Sequence, residues 1–204
     1  METFYKLICV IIRKGKERIM ALTESANVAL GTEIPRFVLK DPDGVIQVSD
    51  YAFGKKGLLV AFMCNHCPYA KAVWPRLIRL AKYATELGIN VVAINPNINP
   101  NYPEDAPEEM LKRIKELGIE FPYLIDSTQN VARAFDAQCT PDFYLYNSDK
   151  KLVYHGRFDD NWQNESEVTK EELKEAITNL ANGKPISSEQ YPSMGCSIKW
   201  RENK

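Results

Sequence analysis

Apolar residues along the chain form short unbroken runs that alternate with segments of helical periodicity. The runs Leu58–Phe62 and Ile89–Ile94 are typical of strands covered on both faces. Between them, over residues 69–87, apolar residues recur every three or four positions, which predicts a helix that ends at Gly88 and is kinked at Pro75. This strand–helix–strand order indicates an α/β fold with parallel strands.

Two further pairs of β-prone runs each flank a turn sequence, so each pair predicts a hairpin. The first hairpin turns at Asp41–Gly44 and the second at Asn147–Lys150. The other predicted elements are helices at 108–117, 127–135 and 170–182, the last capped by Thr169, and a strand at 123–125. The sequence therefore predicts a central mixed sheet flanked by helices, with an N-terminal β-hairpin.

A chain of 204 residues has room for a single domain with short additions. The predicted domain spans residues 27–183, after an N-terminal extension at 1–26 and before a polar C-terminal tail at 184–204. Within the extension, Met20 begins a sequence that resembles a natural start. Met1–Ile19 is therefore interpreted as an addition from an upstream start codon, and a genuine extra strand is the alternative.

The charges nearly balance, with 26 basic and 27 acidic residues and a net charge of −1, which argues against a nucleic-acid partner. No apolar run approaches the roughly 18 residues that a membrane span needs, and the best candidate is Leu7–Ile12. Basic residues follow this run instead of preceding it, unlike in a secretory signal. We therefore expect a cytoplasmic protein with no membrane partner.

The chain has five cysteines and two histidines. An odd number of cysteines excludes a fully paired disulfide framework within one chain. Two histidines argue against a multi-histidine metal site. In a reducing compartment, cysteines are usually catalytic, redox-active or metal-binding.

The tetrapeptide Cys64-Asn65-His66-Cys67 falls where the first buried strand turns into the helix, a context typical of a redox-active C-x-x-C. Cys64 is expected to be exposed at the helix N-terminus, and Cys67 to be more buried in the first turn. The helix terminus favours a thiolate by only about 0.3–1 kcal/mol, so His66 is expected to contribute as a cation or hydrogen-bond donor.

Two alternatives remain for this cysteine pair: half of a zinc site, or inert core cysteines. A structural zinc site usually takes four ligands as two pairs. Outside the tetrapeptide and Cys9, only Cys139, His155 and Cys196 remain, and they are far apart in sequence. The sequence therefore predicts neither a metal nor a cofactor.

Several short motifs carry a resemblance to a known group. They are Phe62-Met63-Cys64-Asn65-His66-Cys67-Pro68-Tyr69, Tyr102-Pro103-Glu104-Asp105, Tyr123-Leu124-Ile125-Asp126, Cys139-Thr140-Pro141-Asp142-Phe143, Gly156-Arg157-Phe158-Asp159-Asp160 and Gly195-Cys196-Ser197-Ile198-Lys199-Trp200. From about residue 27 to 200 the chain resembles thioredoxin-fold redoxins of the alkyl-hydroperoxide-reductase-C/thiol-specific-antioxidant (AhpC/TSA) type, and more narrowly their peroxiredoxin-like branch.

The resemblance implies a thioredoxin-like fold in which a cis-proline lies opposite the active cysteines. Thr140 and Pro141 match that position and are the expected substrate-binding residues. Cys139 is then either a thiol near the dithiol or a buried core residue. Cys196, in the tail, is either a resolving thiol or a packed residue.

The chain also departs from the patterns of this group. Aligning the peroxidatic cysteine with Cys67 places Val60 at the signature proline and Cys64 at the threonine that orients the peroxide. The peroxiredoxin arginine has no equivalent at Thr140-Pro141. The buried aspartate of thioredoxin is replaced by Leu58, so proton transfer needs another group or water.

The function predicted from these residues is thiol–disulfide oxidoreduction, with Cys64 as the attacking thiolate and Cys67 as the resolving thiol. One alternative is a thiol peroxidase that uses Cys67 or Cys64, and the other is a metal-binding or redox-sensing module. The expected partners are protein or small-molecule disulfides and a reducing partner, and the protein is expected to be a monomer or a homodimer.

Overall fold

The computed structural model describes residues 9–11, 18–20 and 22–201. Most of the predicted N-terminal addition lies outside these ranges. Its described part forms a separate antiparallel pair, in which β1 (Cys9–Ile11) lies beside β2 (Arg18–Met20). The start-codon interpretation therefore stays a prediction.

A central mixed sheet organises the domain. Its strands are β4 (Val38–Lys40), β5 (Ile46–Val48), β6 (Gly57–Phe62), β7 (Ile89–Asn95), β8 (Tyr123–Ile125), β10 (Asp142–Asn147) and β11 (Leu152–Gly156). Their order across the sheet is β11-β10-β6-β7-β8-β4-β5. β6, β7 and β8 are mutually parallel, and the other neighbours are antiparallel. The predicted mixed sheet and both predicted hairpins are confirmed.

The described helices are α1 (Ser49–Ala52), α2 (Pro68–Glu86), α3 (Pro107–Leu117), α4 (Asn130–Ala134) and α5 (Glu172–Ala181), with 3-10 turns at Pro103–Asp105 and Glu165–Glu167. α2 continues through Pro75, and α3 ends at Gly118, whose φ of 65° suits glycine. The predicted cap at Thr169 is wrong. Thr169 donates its backbone N–H and its hydroxyl to the carboxylate of Asp160, and α5 begins three residues later.

β6 is completely buried, which explains its unbroken apolar sequence. Leu59 and Ala61 face the core that α2 covers, while Val60 and Phe62 face the opposite core. The seventh residue of β7, Asn95, is also buried. The carboxyl ends of β6 and β7 are followed by the polar segments that carry the candidate site.

A second, three-stranded sheet consists of β3 (Leu22–Glu24), β12 (Met194–Ser197) and β9 (Cys139–Thr140), with β12 in the middle. β3 comes from the predicted extension and β12 from the predicted tail, so both segments pair with structured neighbours. The exact domain boundaries stay a prediction. No helix in residues 22–201 has the length and apolar character of a membrane span.

Candidate active site

Strand register brings the two predicted parts of the site together. β10 pairs antiparallel with β6, and Asp142 lies opposite Phe62. The residues that precede Asp142 therefore meet the residues that follow Phe62. The peptide bond between Thr140 and Pro141 is cis, as the resemblance implies for this position.

Thr140 contacts both sulfurs of the C-x-x-C pair. Its Oγ1 atom lies 3.1 Å from Cys64 Sγ, and its carbonyl oxygen accepts a hydrogen bond of 3.2 Å from the Cys67 thiol. Cys67 is the residue immediately before the first turn of α2, at the N-cap position. The structure thus places Cys64, Cys67, Thr140 and Pro141 in one cluster.

Two more cysteines lie in this region. Cys196 Sγ, on β12, is 2.6 Å from Cys67 Sγ. Cys139, on β9, is buried and donates to the carbonyl oxygen of Pro141 at 3.6 Å. Cys196 thus directly contacts the dithiol, whereas Cys139 is directed to the backbone beside it.

The expected exposure of Cys64 is wrong, because both Cys64 and Cys67 are fully buried. The carbonyl of Cys64 accepts a hydrogen bond of 3.3 Å from Trp74 Nε1, which ties this residue to α2. The next residue, Asn65, donates its backbone N–H to Asp105 at 2.6 Å. These contacts hold the Cys64 segment inside the molecule.

Burial and hydrogen bonding act differently on the two thiols. Burial raises the pKa of Cys64 well above its ordinary value, and the neighbouring Cys67 raises it further. Burial also opposes ionisation of Cys67. The hydrogen bonds from the Cys196 and Cys64 thiols and from the backbone N–H groups of Ala70 and Cys196 outweigh it, and the pKa of Cys67 falls well below the ordinary value. The direction of these shifts favours Cys67 over Cys64 as the thiol that ionises, and on ionisation Cys67 gives up the hydrogen bond that it donates to the Thr140 carbonyl.

His66 is buried, and its Nδ1 atom pairs with the carboxylate of Asp105. It therefore binds an acidic partner, and the structure does not support the expected lowering of the Cys64 pKa by His66. The ring of Tyr102 lies 4.5 Å from the His66 ring. Nε2 of His66 is buried and has no hydrogen-bond partner among the residues that the structure describes.

Asp105 is the site residue that the sequence reasoning missed. Its buried carboxylate accepts hydrogen bonds from Asn65, from the Asn95 side chain at 3.1 Å and from His66. The only sequence signals were its place in the Tyr102–Asp105 motif and in an unusually long Asn- and Pro-rich loop.

One potential ligand atom from each of Cys64, His66 and Asp105 lies within 4.8 Å of the others. These three residues are the group that would hold a metal ion under the metal-binding alternative. A metal ion there would compete with the existing pairing between His66 and Asp105. The metal-binding alternative stays a prediction.

Comparison with known proteins identifies the family. The family model described as the AhpC/TSA family matches residues 30–155. The chain belongs to the AhpC/TSA family. The resemblance that the sequence motifs indicated is therefore confirmed, and so is the thioredoxin-like fold.

The chain is also similar to two proteins over most of its length. A conserved protein from Geobacillus kaustophilus has a crystal structure that is 43% identical, covers 91% of this chain and 99% of its own, and superposes with a TM-score of 0.86. The thiol-disulfide oxidoreductase ResA of Bacillus subtilis is 27% identical over 148 residues, which are 72% of this chain and 76% of ResA.

More distant structures share the fold alone. They include a putative thiol:disulfide interchange protein DsbE from Chlorobium tepidum, at 17% identity, 76% coverage of this chain, 99% coverage of its own and a TM-score of 0.61. They also include the peroxidoxin BcpB from Mycobacterium tuberculosis, which is 16% identical, covers 76% of this chain and 98% of its own, and superposes with a TM-score of 0.55. These two structures support the fold of this chain and no more.

Proposed function

We propose that the protein is a thiol–disulfide oxidoreductase whose redox couple is Cys64 and Cys67. The observation that carries this proposal is the environment of Cys67, whose sulfur lies at the N-terminus of α2 among several hydrogen-bond donors that lower its pKa. A thiolate is the species that attacks a disulfide. The relation to ResA of Bacillus subtilis adds support.

The contacts of Cys67 at the N-terminus of α2 lead us to propose the reverse of the order of attack predicted from sequence. Cys67, with its lowered pKa, attacks one sulfur of a substrate disulfide, which releases one substrate thiolate and leaves a mixed disulfide on Cys67. Cys64 then gives its proton to the released substrate thiolate and attacks Cys67, which expels the second substrate thiolate and closes the Cys64–Cys67 disulfide. An external reducing partner returns both thiols to the reduced state.

A substrate region lies beside the cis-proline. A cavity of about 260 Å³ is bordered by Pro141 and lined by the aromatic residues Phe158, Trp162 and Tyr191. Glu24 and Arg157 add charges of both signs to its wall. An amphipathic peptide that carries a disulfide suits this lining. We include protein or small-molecule disulfides as substrates and a cytoplasmic location in the proposal.

Reduction of insulin disulfides by the full chain, with dithiothreitol as the reductant, tests this function. The Cys67→Ser variant is expected to lose activity. A variant with both Cys64→Ser and Cys196→Ser, which lacks the two thiols beside Cys67, is expected to accumulate a mixed disulfide on Cys67. Cys139→Ser is the matched control, since Cys139 is a buried thiol that donates to backbone instead of to Cys67. Full activity in both the Cys64 and the Cys67 variants would refute the proposal.

Peroxide reduction is the second candidate, and the lowered pKa of Cys67 favours it as well. The position of the peroxide-orienting threonine is taken by Cys64, which argues against it. Consumption of hydrogen peroxide by the reduced protein separates the two functions. Turnover of peroxide without reduction of insulin would select the peroxidase.

A further inference from the structure

The thiol of Cys196 lies against Cys67, although 129 residues separate them in the chain. Their sulfurs are 2.6 Å apart, compared with about 2.05 Å in a disulfide. The two thiols share a hydrogen bond, in which Cys196 is the donor once Cys67 is ionised. The proposed function gives this third thiol no role.

The strand that carries Cys196 is placed by close backbone packing. β12 pairs with β9, with Cys196 opposite Thr140. A Cβ atom on the preceding residue, Gly195, would lie 2.1 Å from the Thr140 carbonyl oxygen. Glycine at 195 therefore permits the approach of β12 to the same carbonyl that contacts Cys67.

The residues after Cys196 are held from the other side. The backbone N–H of Lys199 donates to Asn97 at 2.8 Å, and Gln129 donates to the Lys199 carbonyl at 2.9 Å. Gln129 also accepts from the backbone N–H of Arg201 at 2.8 Å. Cys196 thus belongs to a segment that is fixed both before and after it.

We propose that Cys196 is a second resolving thiol for Cys67, so that the protein closes either a Cys64–Cys67 or a Cys67–Cys196 disulfide. This inference rests on the proposed function, because it takes the mixed disulfide on Cys67 as its starting point. The Cys196 sulfur lies 2.6 Å from the Cys67 sulfur. Cys64 and Cys67 both contact Thr140, Cys64 through its hydroxyl and Cys67 through its carbonyl. Either one is therefore positioned to attack the Cys67 sulfur.

The exchange step balances without a further reagent. The Cys67 thiolate first attacks the substrate disulfide, forms a Cys67–substrate S–S bond and releases one substrate thiolate. That thiolate takes the proton of Cys196. The Cys196 sulfur then bonds to Cys67, the Cys67–substrate bond breaks, and the second substrate thiolate leaves. Two protein thiols are oxidised, and one substrate disulfide is reduced.

The two protein disulfides can interconvert within the molecule. Cys64 attacks Cys67 in the Cys67–Cys196 disulfide as a thiolate and expels Cys196 as a thiolate, which takes up the proton that Cys64 lost. In the resulting oxidised form, Cys64 and Cys67 are joined by a disulfide and Cys196 is again a thiol. Oxidation thereby couples the C-terminal strand to the dithiol, since one of the two oxidised forms ties β12 covalently to α2.

Mapping of disulfides after reaction with oxidised glutathione tests the inference. The reduced full chain, in a Cys9→Ser background that removes the fifth thiol, is mixed with oxidised glutathione, quenched in acid, alkylated and mapped by mass spectrometry. In the Cys64→Ser variant we expect a Cys67–Cys196 disulfide. Adding Cys196→Ser, or Cys196→Ala as a variant with a different fit, should lengthen the life of the Cys67–glutathione adduct about tenfold or more. Adding Cys139→Ser instead should leave the lifetime of the Cys67–glutathione adduct unchanged.

A Cys64→Ser protein that keeps glutathione on Cys67 while Cys196 stays a free thiol would overturn the inference. Failure of the proposed function looks different, because then no variant with Cys67 intact accepts glutathione. In that case the reduced Cys64→Ser variant is treated with diamide, which takes two electrons and two protons from a pair of thiols. A Cys67–Cys196 disulfide then supports the inference, and its absence refutes it.

Discussion

The Nδ1 atom of His66 pairs with the carboxylate of Asp105, and both side chains are buried beside the dithiol. The same carboxylate binds the backbone N–H of Asn65 and the side chain of Asn95. One acidic side chain thereby connects the C-x-x-C segment, the end of β7 and the 3-10 turn at Pro103–Asp105. It is the polar centre of the site.

Replacing Asp105 with alanine is expected to destabilise the protein strongly. The substitution leaves the donors of Asn65 and Asn95 without their acceptor in the interior and removes the partner of His66. Leaving a buried donor unsatisfied costs about 1–3 kcal/mol. Urea denaturation, followed by circular dichroism, measures the change in the free energy of unfolding.

Asp105→Asn is the informative comparison, since its amide oxygen can still accept from Asn65. It should lose less stability than Asp105→Ala. Asp149→Ala, at an exposed position in the β10–β11 turn, is the control and should change little. Equal losses in the two Asp105 variants would contradict the role assigned to its acceptor oxygens.

The lowered pKa of Cys67 predicts a pH-dependent contribution to stability. Between its folded pKa and the unfolded value of about 8.5, the unfolded chain binds the proton that the folded chain has released. The contribution of Cys67 therefore grows as the pH rises through this window and is lost as the pH falls below the folded pKa.

Urea midpoints of reduced wild type and Cys67→Ser at pH 5.5 and pH 8 measure this contribution. The advantage of wild type over the variant should be larger at pH 8. The rate of alkylation by iodoacetamide, mapped by peptide, gives an independent readout and should assign the most acidic thiol to Cys67. An alkylation midpoint for Cys67 at or above that of Cys64 would be inconsistent with the hydrogen bonds described here.

The framework of the fold could be predicted from sequence because it depends on local patterns. The unbroken run of β6, the periodicity of α2 and the turn residues of the two hairpins each reflect burial on a regular element. The start of α5 could not be predicted in this way, because Asp160 binds Thr169 and takes it out of the cap position. That competition depends on a contact between residues nine positions apart.

The site was only half predictable for a similar reason. The C-x-x-C pair and the cis-proline are visible as short motifs, whereas their surroundings come from distant segments. Asp105 reaches the site from a loop 39 residues beyond His66, and Cys196 from the last strand. Sequence reasoning assigned the exposed position to Cys64 from the usual order of such motifs, and these long-range contacts bury it.

Asp142 supplies a further prediction, because its carboxyl group is fully buried beside His155. Burial raises its pKa, although the hydrogen bonds from His155 and Tyr144 act in the opposite direction. A raised folded pKa means that the stabilising contribution is complete below the unfolded value of about 3.9 and is lost as the pH rises through the folded value.

The Asp142→Asn variant removes this titration and keeps an oxygen that can accept from Tyr144. The stability of wild type relative to this variant should therefore decrease from pH 4 to pH 7, by up to about 1.4 kcal/mol per pH unit within the titration window. Thermal denaturation of both proteins over that range checks the slope. A constant difference would show that ionisation of Asp142 is not coupled to folding.

Gly195 provides the test of how the position of the last strand governs the thiols. In Gly195→Ala, the new methyl group would overlap the Thr140 carbonyl, so β12 has to move away from β9. Overpacking of this kind costs about 1–3 kcal/mol. The same movement should separate Cys196 from Cys67, so the Cys67–Cys196 disulfide should form more slowly with diamide.

Ser197→Ala is the matched control, since it keeps the backbone of the same strand and removes only a hydroxyl that contacts Lys199. Because Cys64 precedes α2 and does not belong to β12, closure of the Cys64–Cys67 disulfide should slow less than closure of Cys67–Cys196. An equal slowing of both disulfides would mean that Gly195 acts on the whole site through Thr140 instead of on the placement of Cys196.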